Sequence, residues 1–502
     1  MDAVNGSVLG IARLHIMGSA HATPDEAAWI GIAYLIAKIT CLPLAAGLTA
    51  RFGTIRMLAV ATVVVTLASL ACGFAADLDA LVFWCAVQGA GGAVLLVAGQ
   101  TALLKIFPRD RQPSVQAVYS IAVILAPASL APGIEGWLTD ALSWSAIFLL
   151  NALTGLVGLV AVARGFKEEL PRAHRLRLDW IGLGLLALAA SGVVYVLQEG
   201  NRYDWLEEPH IGWLTIGSVA AFALFLAWEK RRQRRDPLID SAVFQSQPFT
   251  FGFIVSFVAG TALSGSAFVI SAFAFTVLDF APTYAGLLLL PASLSVALGL
   301  FLAAMLLQRP GFVPLRLVPL GILCFMTAMW WLSHATGQSG LPDLTPPLLL
   351  RGFGLGVLFM ALTVMTLTGL AGPQTAHGVA LFNIGRQMGG LIGIAFLQTY
   401  LDYQIALNRG VLAAYLVPGN PLLVERQAQI AERLAARGYD AGDATMAAIA
   451  VIAKSAQAQV AALSFNESFL AVALIFLFAA PLMAAVKLIQ ARVAQQRAGA
   501  KP

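Results

Sequence analysis

An all-α polytopic membrane protein is the fold class this chain predicts, and three observations lead there. Of 502 residues, 59% are hydrophobic and 11% are charged, too few charges to clothe a soluble surface, which needs about 25–35%. The apolar residues gather in runs that match the roughly 20 residues a helix needs to cross ~30 Å of hydrocarbon. Basic residues then occupy every second gap between those runs. They are Arg51 and Arg56; Lys105, Arg109 and Arg111; Arg164 to Arg177; Lys230 to Arg235; Arg309 and Arg316; and Lys487 to Lys501. The alternate gaps carry mostly acids: Asp25 and Glu26, Asp77 and Asp79, Asp140, Asp204 with Glu207 and Glu208, Asp279, Asp343. Lys and Arg are retained on the cytoplasmic side, so the basic gaps are expected in the cytoplasm and the acidic ones outside. A soluble protein has no reason to sort charge by gap parity.

Each run is expected to be a helix, because a bilayer core offers backbone groups no partner outside their own segment. The first, Asp2–Gly18, is short and carries Arg13 and His15, and it reads as the outer half of a span whose inner half is missing. The runs that follow are Ala27–Ala50, Met57–Ala76, Ala80–Leu104, Val115–Leu138, Ser145–Arg164, Trp180–Leu197, Ile211–Trp228, Phe249–Val277, Tyr284–Leu307, Leu317–His334, Pro346–Leu370, Gly378–Leu401 and Leu463–Val486. That makes about fourteen spans. The Ala-rich outer segment Asp402–Ala462 has helical stretches at Leu422–Arg437 and Ala444–Gln459, broken at Gly438; it reads either as a structured cap or as a docking surface. Met1–Ala20 lacks the basic start and clean apolar core of a cleavable signal. The cysteines, Cys41, Cys72, Cys85 and Cys324, all lie inside apolar runs, which argues against a disulfide framework.

Several classes of function are disfavoured. The net charge of +5 is accounted for by the loops and makes no case for nucleic acid. The sequence has no P-loop, nucleophile elbow or His–acid metal cluster, so neither enzyme, cofactor nor metal site is expected.

A set of motifs carries a resemblance. Ala131-Pro132-Gly133-Ile134-Glu135-Gly136, then Asp140, Trp144 and Ile147 to Asn151, stand at the fifth span. Leu197-Gln198-Glu199-Gly200 and Asp204-Trp205 follow the seventh. Trp228-Glu229, Asp236 to Asp240 and Phe244 precede the ninth, and Arg351-Gly352-Phe353-Gly354-Leu355-Gly356 lies in the twelfth. Asn383, Arg386-Gln387, Gly389-Gly390, Gly393 and Thr399 fit the thirteenth, and Phe465-Asn466-Glu467 opens the last. In this order and spacing they resemble the fourteen-span drug:proton antiporters of the major facilitator superfamily, the EmrB-like multidrug exporters.

The resemblance implies the major facilitator fold: two six-helix bundles plus two extra central helices, with the first helix apparently truncated. Residues 1–166 would form the N-terminal bundle, 167–246 the inserted spans, and 247–502 the C-terminal bundle with the outer loop 402–462. It implies proton-coupled export of hydrophobic or amphipathic compounds across a bacterial inner membrane, with the C-terminus cytoplasmic. A periplasmic adaptor protein and an outer-membrane channel are the implied partners. Two alternatives stay open: export of one endogenous metabolite, such as a fatty acid or siderophore, and a degenerate sensor that transports nothing.

Independent of the resemblance, Val87 to Gly92 and Leu350 to Leu355 form a trace of an internal repeat, as expected of a transporter built from paired halves around a midplane site. The glycines suit close helix approach. Lys38 lies nine residues inside Trp29, about 13 Å deep. A Lys there costs roughly 2.5–3.5 kcal/mol on insertion scales and needs an acid or a wet cavity. The expected partner is Asp2 or Glu135; protonating that acid would release the pair and couple proton entry to export, and a fixed structural ion pair is the alternative. Asp2 lies one turn before Asn5, which stands where the family carries a first-span acid. Arg386 is expected to line the cavity or brace the inner gate, and Arg351 to snorkel outward. The expected cavity residues are Asn5, Gln88, Asn151, Asn383 and Gln387; the gating residues are Arg51, Gly53, Pro132 and Gly136. Ala50, Cys85 and Asn5 depart from the family at positions tied to gating and proton coupling.

Overall fold

The computed structural model describes residues 2, 13–125, 134, 137–139, 141–165, 179–232, 237–280, 282–370, 372, 374–417 and 420–499. Among these the chain is helical and contains no strand. In chain order the helices are α1 (Arg13–Ala20), α2 (Pro24–Phe52), α3 (Thr54–Gly73), α4 (Leu78–Ile106), α5 (Gln112–Leu125), α6 (Ser145–Gly165), α7 (Trp180–Glu199) and α8 (Pro209–Arg232). They continue with α9 (Gln247–Thr276), α10 (Pro282–Leu307), α11 (Leu317–Leu332), α12 (Leu341–Leu367), α13 (Gln374–Ala413), α14 (Pro421–Ala435) and α15 (Ala441–Gly499). Among the described residues, 12 helices are long and apolar enough to cross a membrane. α1 and α5 are the described helices of the expected first and fifth spans, most of whose remaining residues lie outside the described ones.

Polar residues at the helix ends explain where the helices begin. Thr23 and Glu26 form a reciprocal capping box that opens α2: Glu26 accepts from the Thr23 amide at 2.8 Å, and Thr23 Oγ1 accepts from the Glu26 amide at 3.3 Å. Asp77 accepts from the Ala80 amide at 2.7 Å and opens α4. Asp179 caps α7 and also receives Trp228 Nε1 at 3.0 Å, which ties the start of α7 to the end of α8. The expected outer loop differs in form. α13 does not stop at Leu401 but runs 40 residues to Ala413, and α15 starts at Ala441 and enters the last span unbroken. An apolar window marks where a helix is in lipid, whereas helix propensity and breakers set where it ends. Gly438, with φ of 97°, takes the left-handed turn between α14 and α15.

The internal repeat is visible in the packing. α4 lies against α2 and α3 as α12 lies against α10 and α11. A Cβ on Gly89 would strike the Tyr34 carbonyl of α2, and one on Gly352 would strike the Ala292 carbonyl of α10. Two residues on, Gly91 faces Val65 of α3 and Gly354 faces Gly321 of α11. Small residues at matched positions let each pair of backbones touch. The two halves meet where α2 packs on α13 and α5 packs on α10, with α7 beside the first seam: Ala190 and Val194 cluster with Ile32 and Ile39 of α2 and with Met388 and Leu391 of α13.

Candidate functional site

Near the seam between the halves stand Asp2, Lys38 and Arg386. Lys38 is buried in α2, and its Nζ donates to Asp2 Oδ2 at 2.8 Å. The Tyr34 hydroxyl, one helical turn from Lys38, donates to Asp2 Oδ1 at 2.7 Å and lies 3.3 Å from the ammonium. Asp2 also lies over Gly92 of α4, where any side chain would collide with the carboxylate. The structure thus brings Asp2 and Lys38 together. Glu135, Pro132, Gly136 and Asn5 lie outside the described residues.

Across the seam, α13 contributes Asn383 and Arg386. The Asn383 amide donates to Gln100 Oε1 of α4 at 3.0 Å, and its oxygen accepts from Arg386 Nη2 at 3.2 Å. Gln100 donates in turn to Gln116 of α5 at 3.3 Å. This chain of polar groups joins the halves. It borders a cavity lined by Gln100, Tyr119, Ser120, Phe359, Phe382, Asn383 and Arg386 among others. The accessible volume is about 30 Å³, room for a few waters and far below a drug-sized ligand. Arg386 has no carboxylate within 4 Å among the described residues, yet it stands within electrostatic reach of Tyr119 and Asp2. Gln116 and Tyr119 escaped sequence reasoning: single polar residues in apolar runs carry no periodic signal.

Other expected site residues fall elsewhere. Gln88 and Asn151 both donate to Ser69 Oγ of α3, at 2.7 and 3.3 Å, so they join α3, α4 and α6 inside the N-terminal half. Gln387 is half-buried and is not among the residues lining the cavity. Arg51 ends α2 with its guanidinium 4.9 Å from the Phe52 ring. Gly53 then makes the turn into α3 with φ of 96°, a conformation that favours glycine. Close by, Lys105 at the end of α4 donates to Thr54 at 2.8 Å, so two basic gaps share one face.

Arg351 departs from its expected outward reach. Ten residues into α12, it is buried and donates to Ser266 Oγ of α9 through Nε at 3.0 Å and Nη2 at 2.8 Å. At ~15 Å from the helix start, a hydroxyl within reach satisfies the guanidinium better than a stretch to the interface.

Comparison with known proteins agrees with this architecture. Multidrug export protein EmrB of Escherichia coli K12 is 25% identical over 428 residues, covering 84% of this chain and 81% of that protein. The colistin resistance protein EmrB of Acinetobacter baumannii is 25% identical over 473 residues, covering 92% and 90%. The fatty acid resistance protein FarB of Neisseria gonorrhoeae is 24% identical over 484 residues, covering 96% and 93%. Among solved structures, the human organic anion transporter MFSD10 superposes with a TM-score of 0.55 at 14% identity, covering 94% of this chain and 89% of that one. The proton:xylose symporter XylE does so with a TM-score of 0.52 at 13% identity, covering 82% and 89%. The sequence model of the Major Facilitator Superfamily matches residues 1–394. This multi-pass, all-helical chain therefore belongs to the major facilitator superfamily.

Proposed function

We propose that this transporter is a proton-coupled exporter of hydrophobic or amphipathic compounds, with the basic face in the bacterial cytoplasm. The observation that carries the reading is the buried Lys38–Asp2 pair beside the seam between the halves. A charge pair at that depth carries a desolvation cost that its mutual attraction repays only in part, so packing alone is a poor reason to keep it. A proton arriving on Asp2 removes the counter-charge of Lys38 and weakens the contact among α2, α4 and the first span. The pair is then restored only when the proton leaves on the other side. Arg386, across the seam, supplies a second positive charge that senses the same carboxylate. One proton thereby biases which arrangement of the halves is favoured, which is what coupling requires.

The relatives named above include multidrug, colistin and fatty acid resistance proteins. Amphipathic cargo fits the few polar groups and the aromatic lining of the cavity, Phe359, Phe382 and Tyr119. FarB keeps export of one acidic amphiphile as the second reading. Outside the membrane, Tyr403, Leu407 and Val411 repeat every fourth residue along α13 and are exposed, a stripe on which a periplasmic adaptor, leading to an outer-membrane channel, would seat. The direct test is extrusion of a fluorescent dye panel from cells making the protein. Loss of export on collapsing the proton gradient is expected; export unaffected by that collapse overturns the coupling.

A further inference from the structure

The turn between α7 and α8 holds contacts to both halves of the molecule. On one side, Arg202 forms an ion pair with Asp25 in the first turn of α2. On the other, Asn201 Nδ2 donates to Asp402 Oδ2 at 2.7 Å and Trp205 Nε1 donates to Thr399 Oγ1 at 2.9 Å, both on α13. α2 belongs to the N-terminal half and α13 to the C-terminal half. All these partners lie on the acidic face, where α2 begins and α13 leaves the membrane.

The turn is also strained. Asp204 and Trp205 are consecutive non-glycine residues with φ of 48° and 56°. Left-handed backbone at a tryptophan persists only where its surroundings enforce it. Here the enforcement is visible: the Trp205 ring lies over Gly200, where an added Cβ would come within 2.8 Å of the ring, and its indole N–H is held by Thr399. Below the turn, Trp29 of α2 packs against Tyr195 of α7 with ring centroids 5.4 Å apart, and α7 fills the α2–α13 seam.

We propose that the α7–α8 turn is an outer strap: it pins the two halves together on the acidic face, and one of its anchors must release for the cavity to open there. This assigns a mechanical role to the two extra helices and to the Leu197–Gly200 and Asp204-Trp205 motif. It rests on the reading of the protein as a two-state transporter. Halves that rock about a central site must separate on one face at a time. Two polar anchors, each replaceable by water, suit a contact that is made and broken in every cycle, and strain stored at Asp204 and Trp205 favours release.

The test uses the full-length protein in right-side-out vesicles, with Cys41, Cys72, Cys85 and Cys324 replaced by serine or alanine. Ser120→Cys, in the cavity lining, reports opening through its labelling by a membrane-impermeant maleimide added outside. Arg202→Asp, or Asn201→Ala with Trp205→Phe, is expected to raise the labelling rate about five- to tenfold, the range of a modest coupling between states. The swapped pair Asp25→Arg with Arg202→Asp is expected to return labelling to its starting rate, which misfolding cannot do. Unchanged labelling on releasing either anchor overturns the strap, as does equal labelling by the single and swapped variants. Because labelling reads opening alone, such a result with proton-driven export intact sinks the strap and leaves the export reading standing.

Discussion

The Lys38 ammonium and the Asp2 carboxylate lie 2.8 Å apart inside the membrane, with the Tyr34 hydroxyl bonded to the acid and touching the base. If the pair couples protons, its two functions separate on mutation. Asp2→Asn leaves an unpaired buried ammonium and is expected to destabilise by about 3–5 kcal/mol, read as a lowered melting temperature in detergent. Asp2→Asn with Lys38→Met removes both charges and is expected to recover most of that stability while proton-driven dye export stays absent. Export that returns with stability would reduce the pair to a packing feature.

Gly89 and Gly352 hold equivalent places in the two halves, each beneath a carbonyl of the neighbouring helix. Alanine at either has nowhere to go without moving backbone, so each substitution is expected to cost about 1–3 kcal/mol. Gly184 in α7 has open space around its Cβ position, and alanine there is expected to be neutral or slightly stabilising. Thermal melts of the three variants check this. Equal effects at all three would mean that the close approach is not a constraint.

Gln100 and Asn383 bond across the seam about 9 Å and 13 Å from the basic-face ends of α4 and α13, at ~1.5 Å per residue. This contact and the Gln308–Ser114 hydrogen bond, from the residue after α10 to α5, both join the halves and are expected to hold that face closed. Asn383→Ala is expected to remove about 1 kcal/mol from the closed arrangement. A cysteine at Ser120 should then label faster in inside-out vesicles, by roughly fivefold. No change in rate would show that the seam is held elsewhere.

Much of this architecture is legible in the residues alone. Hydropathy sets the helices, because lipid leaves the backbone no other choice. The placement of Lys38 follows from counting residues from Trp29. Interior hydrogen-bond geometry is not legible in the same way. Gln88, Asn151, Asn383 and Gln387 are all polar residues in apolar runs, and nothing in their local sequence says that the first two turn to Ser69 while Asn383 turns to Gln100. Such choices depend on how each helix is rotated about its axis, and a span that is apolar on every side gives no sign of its rotation. Arg351 fails for the same reason: its depth is countable, its neighbour Ser266 is not. The length of α13 beyond Leu401 is hidden because hydropathy measures the bilayer, and the helix does not stop at its edge.

Sidedness is a separate, testable layer. The basic gap at Lys230–Arg235 and the outer segment Asp402–Ala462 are expected on opposite faces of the membrane. With an impermeant maleimide, a cysteine at exposed Leu422 should therefore label in right-side-out vesicles and one at Lys230 in inside-out vesicles. Labelling of both from one side overturns the topology and every gate assignment built on it.

Arg351 and Arg386 are both basic and both interior, and the structure separates what they do. Arg351 is saturated by Ser266 and the Leu263 carbonyl on α9, inside the C-terminal half and away from the residues lining the cavity. Arg386 lines the cavity and faces the N-terminal half through Asn383 and Gln100. Arg351→Met is therefore expected to leave the dependence of export on the proton gradient unchanged and to lower stability by about 1–3 kcal/mol, the cost of stranding its hydrogen-bond partners. Arg386→Met should shift the pH dependence of export, since it removes a charge that acts on Asp2, and it should lower stability by only about 1 kcal/mol, the cost of the single hydrogen bond to Asn383. Measuring both quantities for both variants decides the matter: a shift in pH profile confined to Arg351→Met would place the coupling charge on the wrong side of the molecule and refute the arrangement argued for Asp2, Lys38 and Arg386.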